Sequence, residues 1–413
     1  MPGTPATTSL AVGADRRDPI TVERGVVPRP SLQERPNPAL AGVGTEDGCG
    51  RRATSADREA TARVTRPTRP SARAGVVTGN LPAVTRDTVS PSDRSRAIAL
   101  CERIDAVFDQ RVVGQRQLRT SLVVALMCGG HVLLESVPGL AKTTAAQTLA
   151  HAVSGSFHRI QCTPDLMPSD IVGTQVFNYG TSQFTTQLGP VHANVVLLDE
   201  INRSSAKTQS AMLEAMQERQ TTIAGEIHPV PSPFMVLATQ NPVEEEGTHV
   251  LPEAQMDRFL LKEVLDYPDA EQEVEILDRI SDGRMVRPLD ADRLGLDEVA
   301  WLQRLVDQVY VDASIRRYVV DLVATTRGRG PVQVPGLDRL VRMGASPRGS
   351  ISLMRVAQAV ALRAGRGHVV PDDVHTLRNA VLRHRIVRTF DAIADDVSTE
   401  SIITSVFDAV PVP

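Results

Sequence analysis

The stretch Glu135-Ser136-Val137-Pro138-Gly139-Leu140-Ala141-Lys142-Thr143-Thr144 decides the fold. An apolar segment, His131-Val132-Leu133-Leu134, runs into it and is short enough for a buried strand. Ala145 to Val153 leaves it with the spacing of a helix. A strand, a Gly/Pro turn and Lys-Thr opening a helix is the layout of a phosphate-binding loop. The first turn of a helix has unpaired N–H groups and a partial positive charge, so anions settle there. Lys142 adds a full positive charge for β- and γ-phosphates, and Thr143 offers a hydroxyl to magnesium. The general pattern has glycine where this chain has Ser136 and Ala141, while Gly139 is retained and Pro138 stiffens the turn. Only three lysines, Lys142, Lys207 and Lys262, stand among 45 basic residues. A chain that uses arginine almost everywhere keeps a compact ammonium at this loop.

Working outward, strands are expected at 131–135, 157–162, 194–199, 234–240 and 259–265, with helical patterns between most of them. That alternation predicts an α/β fold with a parallel sheet and helices on both faces. Ligands of such sheets sit beyond the carboxyl ends of the strands, where the Lys142 loop falls. Asn194-Val195-Val196-Leu197-Leu198-Asp199-Glu200 is a buried strand ending in two carboxylates. Asp199 can hold magnesium through water and Glu200 can act as general base on an attacking water. Phe234-Met235-Val236-Leu237-Ala238-Thr239-Gln240-Asn241-Pro242 ends in neutral polar groups, one of which can orient that water. Arg258 stands just before the fifth strand.

After Tyr267-Pro268 the pattern turns helical: 270–280, 297–309, 314–327, 351–363 and 374–384. Arg348 opens one of these helices, against the helix dipole, which a nearby anion would explain. Met1 to about Ser92 is rich in Pro, Gly, Thr, Ala and Arg without apolar periodicity, and reads as a disordered, solvating tail. The expected organisation is a low-complexity tail over 1–94, an α/β core over 95–266, a helical domain over 267–390 and a C-terminal tail over 391–413. A net charge of −4 and 3% aromatic residues argue against nucleic acid as a partner. Four cysteines without metal-ligand spacing read as reduced thiols. With no signal-peptide core and no run long enough to span a bilayer, the expected location is cytoplasmic, with membrane association only through a partner.

From about Ile98 to Arg385 the chain resembles the MoxR family of AAA+ ATPases, in the helix-2-insert clade that also holds magnesium chelatase motor subunits. The resemblance rests on Val113-Gly114-Gln115, Val137-Pro138-Gly139-Leu140-Ala141-Lys142-Thr143, Thr163-Pro164-Asp165-Leu166-Met167-Pro168-Ser169-Asp170-Ile171, Leu198-Asp199-Glu200-Ile201-Asn202-Arg203, Lys207-Thr208-Gln209-Ser210-Ala211-Met212-Leu213-Glu214-Ala215-Met216, Ala238-Thr239-Gln240-Asn241-Pro242 and Leu251-Pro252-Glu253-Ala254-Gln255-Met256-Asp257-Arg258-Phe259. It implies a P-loop NTPase αβα sandwich on a five-stranded parallel sheet, followed by a small all-α lid. It implies that Ser136 to Thr144 cradle ATP and that Thr143 and Asp199 hold Mg2+. Asp199 and Glu200 would be the Walker B pair, and Asn241 sensor 1. Arg258 would be an arginine finger for a neighbouring subunit. Arg348 would be sensor 2, touching the γ-phosphate in cis. Val112 and Val113 would line the adenine pocket. Gln183 to Pro190 would lie near the hairpin insertion of the clade, and the Gln220–Pro229 hairpin would face a ring pore. The implied activity is Mg-ATP hydrolysis in a ring, hexameric by resemblance, that remodels partner proteins, often with a von Willebrand factor A domain protein. Two alternatives stay open: a chelatase-type motor subunit for metal insertion, and a nucleic-acid motor. Glu200 argues against a scaffold that binds nucleotide without hydrolysing it.

Overall fold

The computed structural model describes residues 89–136, 139–241, 249, 251–289 and 292–413. Val137 and Pro138 of the phosphate loop, and the expected tail up to residue 88, lie outside the described residues. In chain order the first part holds α1 (Pro91–Arg111), α2 (Arg116–Met127), β1 (Val132–Glu135), α3 (Lys142–Ala152), β2 (Phe157–Gln161), α4 (Pro168–Val172), β3 (Gly173–Asn178) and β4 (Gln183–Leu188). It continues with β5 (Val195–Asp199), a 3-10 turn (Ile201–Arg203), α5 (Ala206–Glu218), β6 (Gln220–Ile223), β7 (Glu226–Pro229), β8 (Met235–Gln240), α6 (Glu253–Met256) and β9 (Leu261–Val264). The second part holds α7 (Ala270–Ser281), α8 (Leu296–Val306), α9 (Ala313–Thr326), α10 (Leu337–Leu340), β10 (Val341–Met343) and α11 (Pro347–Arg363). It ends with α12 (Pro371–Thr376), α13 (Arg378–Leu382), β11 (Val387–Arg388), α14 (Phe390–Ala394) and α15 (Thr399–Ala409).

The five expected strands form one parallel sheet in the order β2-β5-β8-β1-β9. Register aligns their carboxyl ends: Gln161 faces Asp199, and Glu135 faces both Gln240 and Val264. Every residue of β5 is buried, as expected for a parallel strand covered on both faces. Alternation along the strands feeds two cores. Val132, Leu134, Val195, Leu197 and Leu237 pack with α1, α2 and α3 in a core that continues into the helical part. Leu133, Val196, Leu198 and Val236 pack on the other face with Met212, Leu213 and Met216 of α5. These three residues of α5 are therefore core. Two antiparallel hairpins, β3–β4 and β6–β7, stand apart from this sheet.

Three boundaries differ from those expected. Ser90 caps α1, its hydroxyl accepting from Asp93 N–H at 3.1 Å with Pro91 at the helix start, so helix begins inside the segment assigned to the tail. The helix expected over 374–384 is two short helices that meet at Leu377. The segment from Asp391 is not a tail: α14 and α15 follow, and Ile402, Ile403, Val406 and Phe407 of α15 are buried in the lid core. The lid is helical, with one short antiparallel pair, β10–β11, stitching it.

Candidate active site

The phosphate loop leaves β1 tied to its neighbour, Ser136 N–H donating to Gln240 O at 3.2 Å. Gly139 has φ +90°. Ala141 is the N-cap of α3 in the left-handed region, at φ 55° and ψ 22°, which explains why the general pattern has glycine here. The N-cap residue Ala141 makes no side-chain cap bond, and the first N–H groups of α3 face the loop. Leu140 is buried and anchors the turn, while Lys142, Thr143 and Thr144 are half-buried in the first helical turn. The Lys142 ammonium folds back over the loop and donates to Ser136 O at 3.4 Å. Val112 and Val113 line a cavity of about 640 Å3 together with Gly114, Gln115, Gln272 and Glu275. The Gln115 amide donates to Asp266 O at 3.2 Å, just past β9, which sets this cavity at the same end of the sheet as the loop.

The two carboxylates at the end of β5 are held by a continuous string of polar side chains. Asp199 Oδ2 accepts from Arg159 Nη2 at 2.5 Å and Nε at 3.2 Å, and its Oδ1 accepts from Thr239 Oγ1 at 2.7 Å. The same Thr239 hydroxyl accepts from Glu200 N–H at 2.8 Å. Glu200 lies in the left-handed region, at φ 59° and ψ 52°, so the chain turns sharply out of the strand. Its carboxylate accepts from Gln161 Nε2 at 2.9 Å and Arg203 Nη1 at 3.2 Å, and Gln161 in turn accepts from Arg159 at 2.9 Å. Asn241 follows β8 and is buried, its carbonyl accepting from Asn202 Nδ2 at 3.4 Å. Arg159 and Gln161 hold these carboxylates although no motif names them, and Thr239, part of the β8 motif, bridges the two acids. The only signal for Arg159 and Gln161 is that β2 neighbours β5, which places Gln161 opposite Asp199.

The Thr143 hydroxyl and the Asp199 carboxylate are hard oxygen donors of the kind magnesium takes. Among the described residues no group of three or more His, Cys, Asp or Glu could hold a metal. An ion here would therefore draw most of its ligands from phosphate and water, the usual habit of magnesium. Cys101, Cys128 and Cys162 are buried, and burial pushes their thiols up to about 12, so none is a nucleophile at neutral pH.

Arg258 and Arg348 are together, but not here. They line a cavity of about 280 Å3 with Gly130, His131, Arg219 and Arg355, at the end of the sheet where β1 begins. Lys142 lies past the other end of β1, whose four residues span roughly 13 Å at 3.3 Å each. In this arrangement Arg348 stands away from its own chain's Lys142 loop, where the family resemblance would have it reach. The reason is the docking of α11: its cap, Ser346, donates to Asp257 at 2.8 Å, and Arg385 of the lid donates to the same carboxylate at 2.9 Å. Arg385 is buried, and burial pushes its guanidinium down to about 10 while Asp257 pulls the other way.

A lysine-bearing loop and an acidic strand end at one edge of a parallel sheet, with a helical lid after it, define an ATPase of the AAA type. The model of the ATPase family associated with various cellular activities (AAA) matches residues 131–261, and that of the AAA lid domain matches 337–406. Chaperone MoxR1 of Mycobacterium tuberculosis is 46% identical over 311 residues, 75% of this chain and 81% of that one. Protein MoxR of Methylorubrum extorquens is 30% identical over 337 residues, 75% of this chain and 94% of that one. A crystal structure of a proposed ATPase from Cytophaga hutchinsonii superposes with a TM-score of 0.71 at 40% identity, covering 78% of this chain and 98% of that one. This chain belongs to the MoxR family of AAA+ ATPases. Among the described residues no helix is long and apolar enough to cross a membrane.

Proposed function

We propose that this chain binds and hydrolyses Mg-ATP in a ring of its own copies, hexameric by family resemblance, and uses the cycle to remodel partner proteins. The observation that carries the reading is the convergence of Lys142, Asp199 and Glu200 at the carboxyl ends of β1 and β5, with one strand between them. Lys142 and the uncapped start of α3 bind the phosphates. Thr143 and Asp199 hold the magnesium, which when bound neutralises charge on the phosphate oxygens. Glu200 takes the proton of the attacking water, with Gln161 and Arg203 fixing its carboxylate. Asn241 orients that water from the end of β8. Arg258 and Arg348 serve the nucleotide of the adjacent subunit. The chaperone name of the mycobacterial relative supports a protein substrate, and a von Willebrand factor A domain protein is the partner proposed, in the cytoplasm.

The test separates binding from chemistry. Lys142→Ala is expected to lose most ATP affinity with an unchanged melt. Glu200→Gln is expected to bind ATP and hydrolyse it ~10²-fold more slowly or worse. Partners trapped on Glu200→Gln would identify the substrate. Normal affinity in the first variant, or normal turnover in the second, overturns the assignment.

A further inference from the structure

Two arginines offered to a neighbouring subunit come from different parts of this chain. Arg258 follows α6 in the ATPase part, and Arg348 opens α11 in the lid. A shared phosphate needs both guanidiniums at fixed separation, so something must lock the two parts together. Asp257 touches both. Its backbone closes α6, N–H donating to Glu253 O at 3.0 Å, which fixes where Arg258 leaves the helix. Its Oδ2 accepts from Ser346 Oγ at 2.8 Å, and Ser346 Oγ in turn accepts from Arg348 N–H at 3.1 Å. The Arg348 guanidinium stands 4.0 Å from the same oxygen. The other oxygen accepts from Arg385 Nε at 2.9 Å. Arg385 further donates to Phe259 O at 2.6 Å, Leu260 O at 3.2 Å and Ser352 Oγ at 3.2 Å, so it clamps the segment after Arg258 onto α11. A second brace lies close by, Arg342 to Glu253 at 2.5 Å. Among the described residues that line the cavity holding these groups, Asp257 is the single carboxylate beside five arginines, Arg219, Arg258, Arg348, Arg355 and Arg385.

We propose that Asp257 is a positioning residue that sets Arg258 and Arg348 in register, so that the two act as one clamp on a neighbouring subunit's nucleotide. This rests on the trans reading of both arginines given above. The carboxylate does not touch nucleotide; it fixes the start of α11 against the end of α6. A misplacement of a clamp by about 1 Å can cost on the order of 10²-fold in rate. Because the Lys142 loop is at the far end of the sheet, loading of ATP is independent of Asp257.

The experiment is a mixing assay on full-length variants, with ATP affinity, kcat and KM measured for each. Asp257→Asn is expected to bind ATP as the parent does, keep KM, and lose roughly 10²-fold in kcat. Mixed with Lys142→Ala subunits it is expected to recover activity, because those subunits carry an intact clamp. Mixed with Arg258→Ala it is expected to stay inactive, because neither subunit carries one. If Arg258→Ala recovers with Lys142→Ala but Asp257→Asn does not, or if Asp257→Asn keeps the parental kcat, the role of Asp257 is refuted and the trans reading stands. If Arg258→Ala also fails to recover, the trans reading itself falls and takes this proposal with it. Should Asp257→Asn not fold, Ser346→Ala decides: it removes the arm to α11 together with the cap of that helix, leaves the Arg385 arm in place, and is expected to lower kcat at constant KM, recoverable with Lys142→Ala. A parental kcat in that variant overturns the proposal.

Discussion

His131 carries two hydrogen bonds that only one of its states can make. Its Nδ1 accepts from Val236 N–H at 3.0 Å, so the proton must sit on Nε2, which donates to Met216 O at 3.2 Å. A second proton would drive Nδ1–H against an N–H. Burial, with Arg219 nearby, accordingly holds the imidazole down to about 3. The unfolded chain protonates near 6.5, so below that pH the unfolded state binds a proton that the native state refuses. Stability is therefore full above 6.5 and falls as pH drops toward 3, by on the order of 1.4 kcal/mol at pH 5.5 from this residue. His384, buried and donating to Phe259 O at 3.1 Å, acts in the same direction. Denaturant unfolding at pH 7.5 and 5.5 checks this: His131→Asn, which keeps an acceptor for Val236, is expected to flatten the pH dependence by that amount. An equal slope in parent and variant would count against the assignment. None of this is legible from sequence, where His131 is only the first residue of an expected strand. Ala141 is the converse case. The motif predicts a position that needs the left-handed region, and the chain adopts it with alanine.

At the scale of elements, the three central strands β1, β5 and β8 are legible because each is a short apolar run buried on both faces, whereas the edge strands β2 and β9 carry polar residues among their apolar ones. Their pairing order is not legible, since it depends on which faces the helices cover. That is why Asp199 and Glu200 can be read from the chain but Arg159 and Gln161 cannot. The end of the chain shows a different failure. Ile402, Ile403, Val406 and Phe407 have helical spacing behind the Ser398 cap, yet the acids before them and the Val-Pro-Val-Pro after them read as a tail. Phe407 meets the His375 ring edge-on at 5.0 Å, and the Arg378 guanidinium lies 5.1 Å from its ring centre. Phe407→Ala is expected to cost about 3–5 kcal/mol in urea unfolding, as for a buried aromatic. A cost below about 1 kcal/mol would mean that α15 is only laid on the lid, as an exposed substitution would be.

At the scale of the whole molecule, the decisive fact is that this chain's phosphate loop and its two arginines, Arg258 and Arg348, occupy opposite ends of one sheet. On the function proposed above, a single copy would hold half of a hydrolysis site at each end. Head-to-tail association would complete every site, and a ring is the closed form of such an association. Arg348 makes the sharpest test, because family resemblance alone assigned it to its own chain's nucleotide. If it acted in cis, an Arg348→Ala subunit would have a damaged site of its own. A Lys142→Ala subunit has no working loop, so no junction in a mixture of the two would be whole. If Arg348 acts in trans, a Lys142→Ala subunit supplies an intact Arg348 to the intact loop of its neighbour. ATPase rate plotted against mixing ratio, after subunit exchange has been confirmed, is then expected to rise to a maximum between the two pure proteins. The gain at each repaired junction is on the order of 10³-fold over the unassisted rate, the scale at which a transition-state arginine acts. A flat curve for Arg348→Ala beside a peaked one for Arg258→Ala would return Arg348 to the cis role and require the lid to swing α11 across the sheet during the cycle.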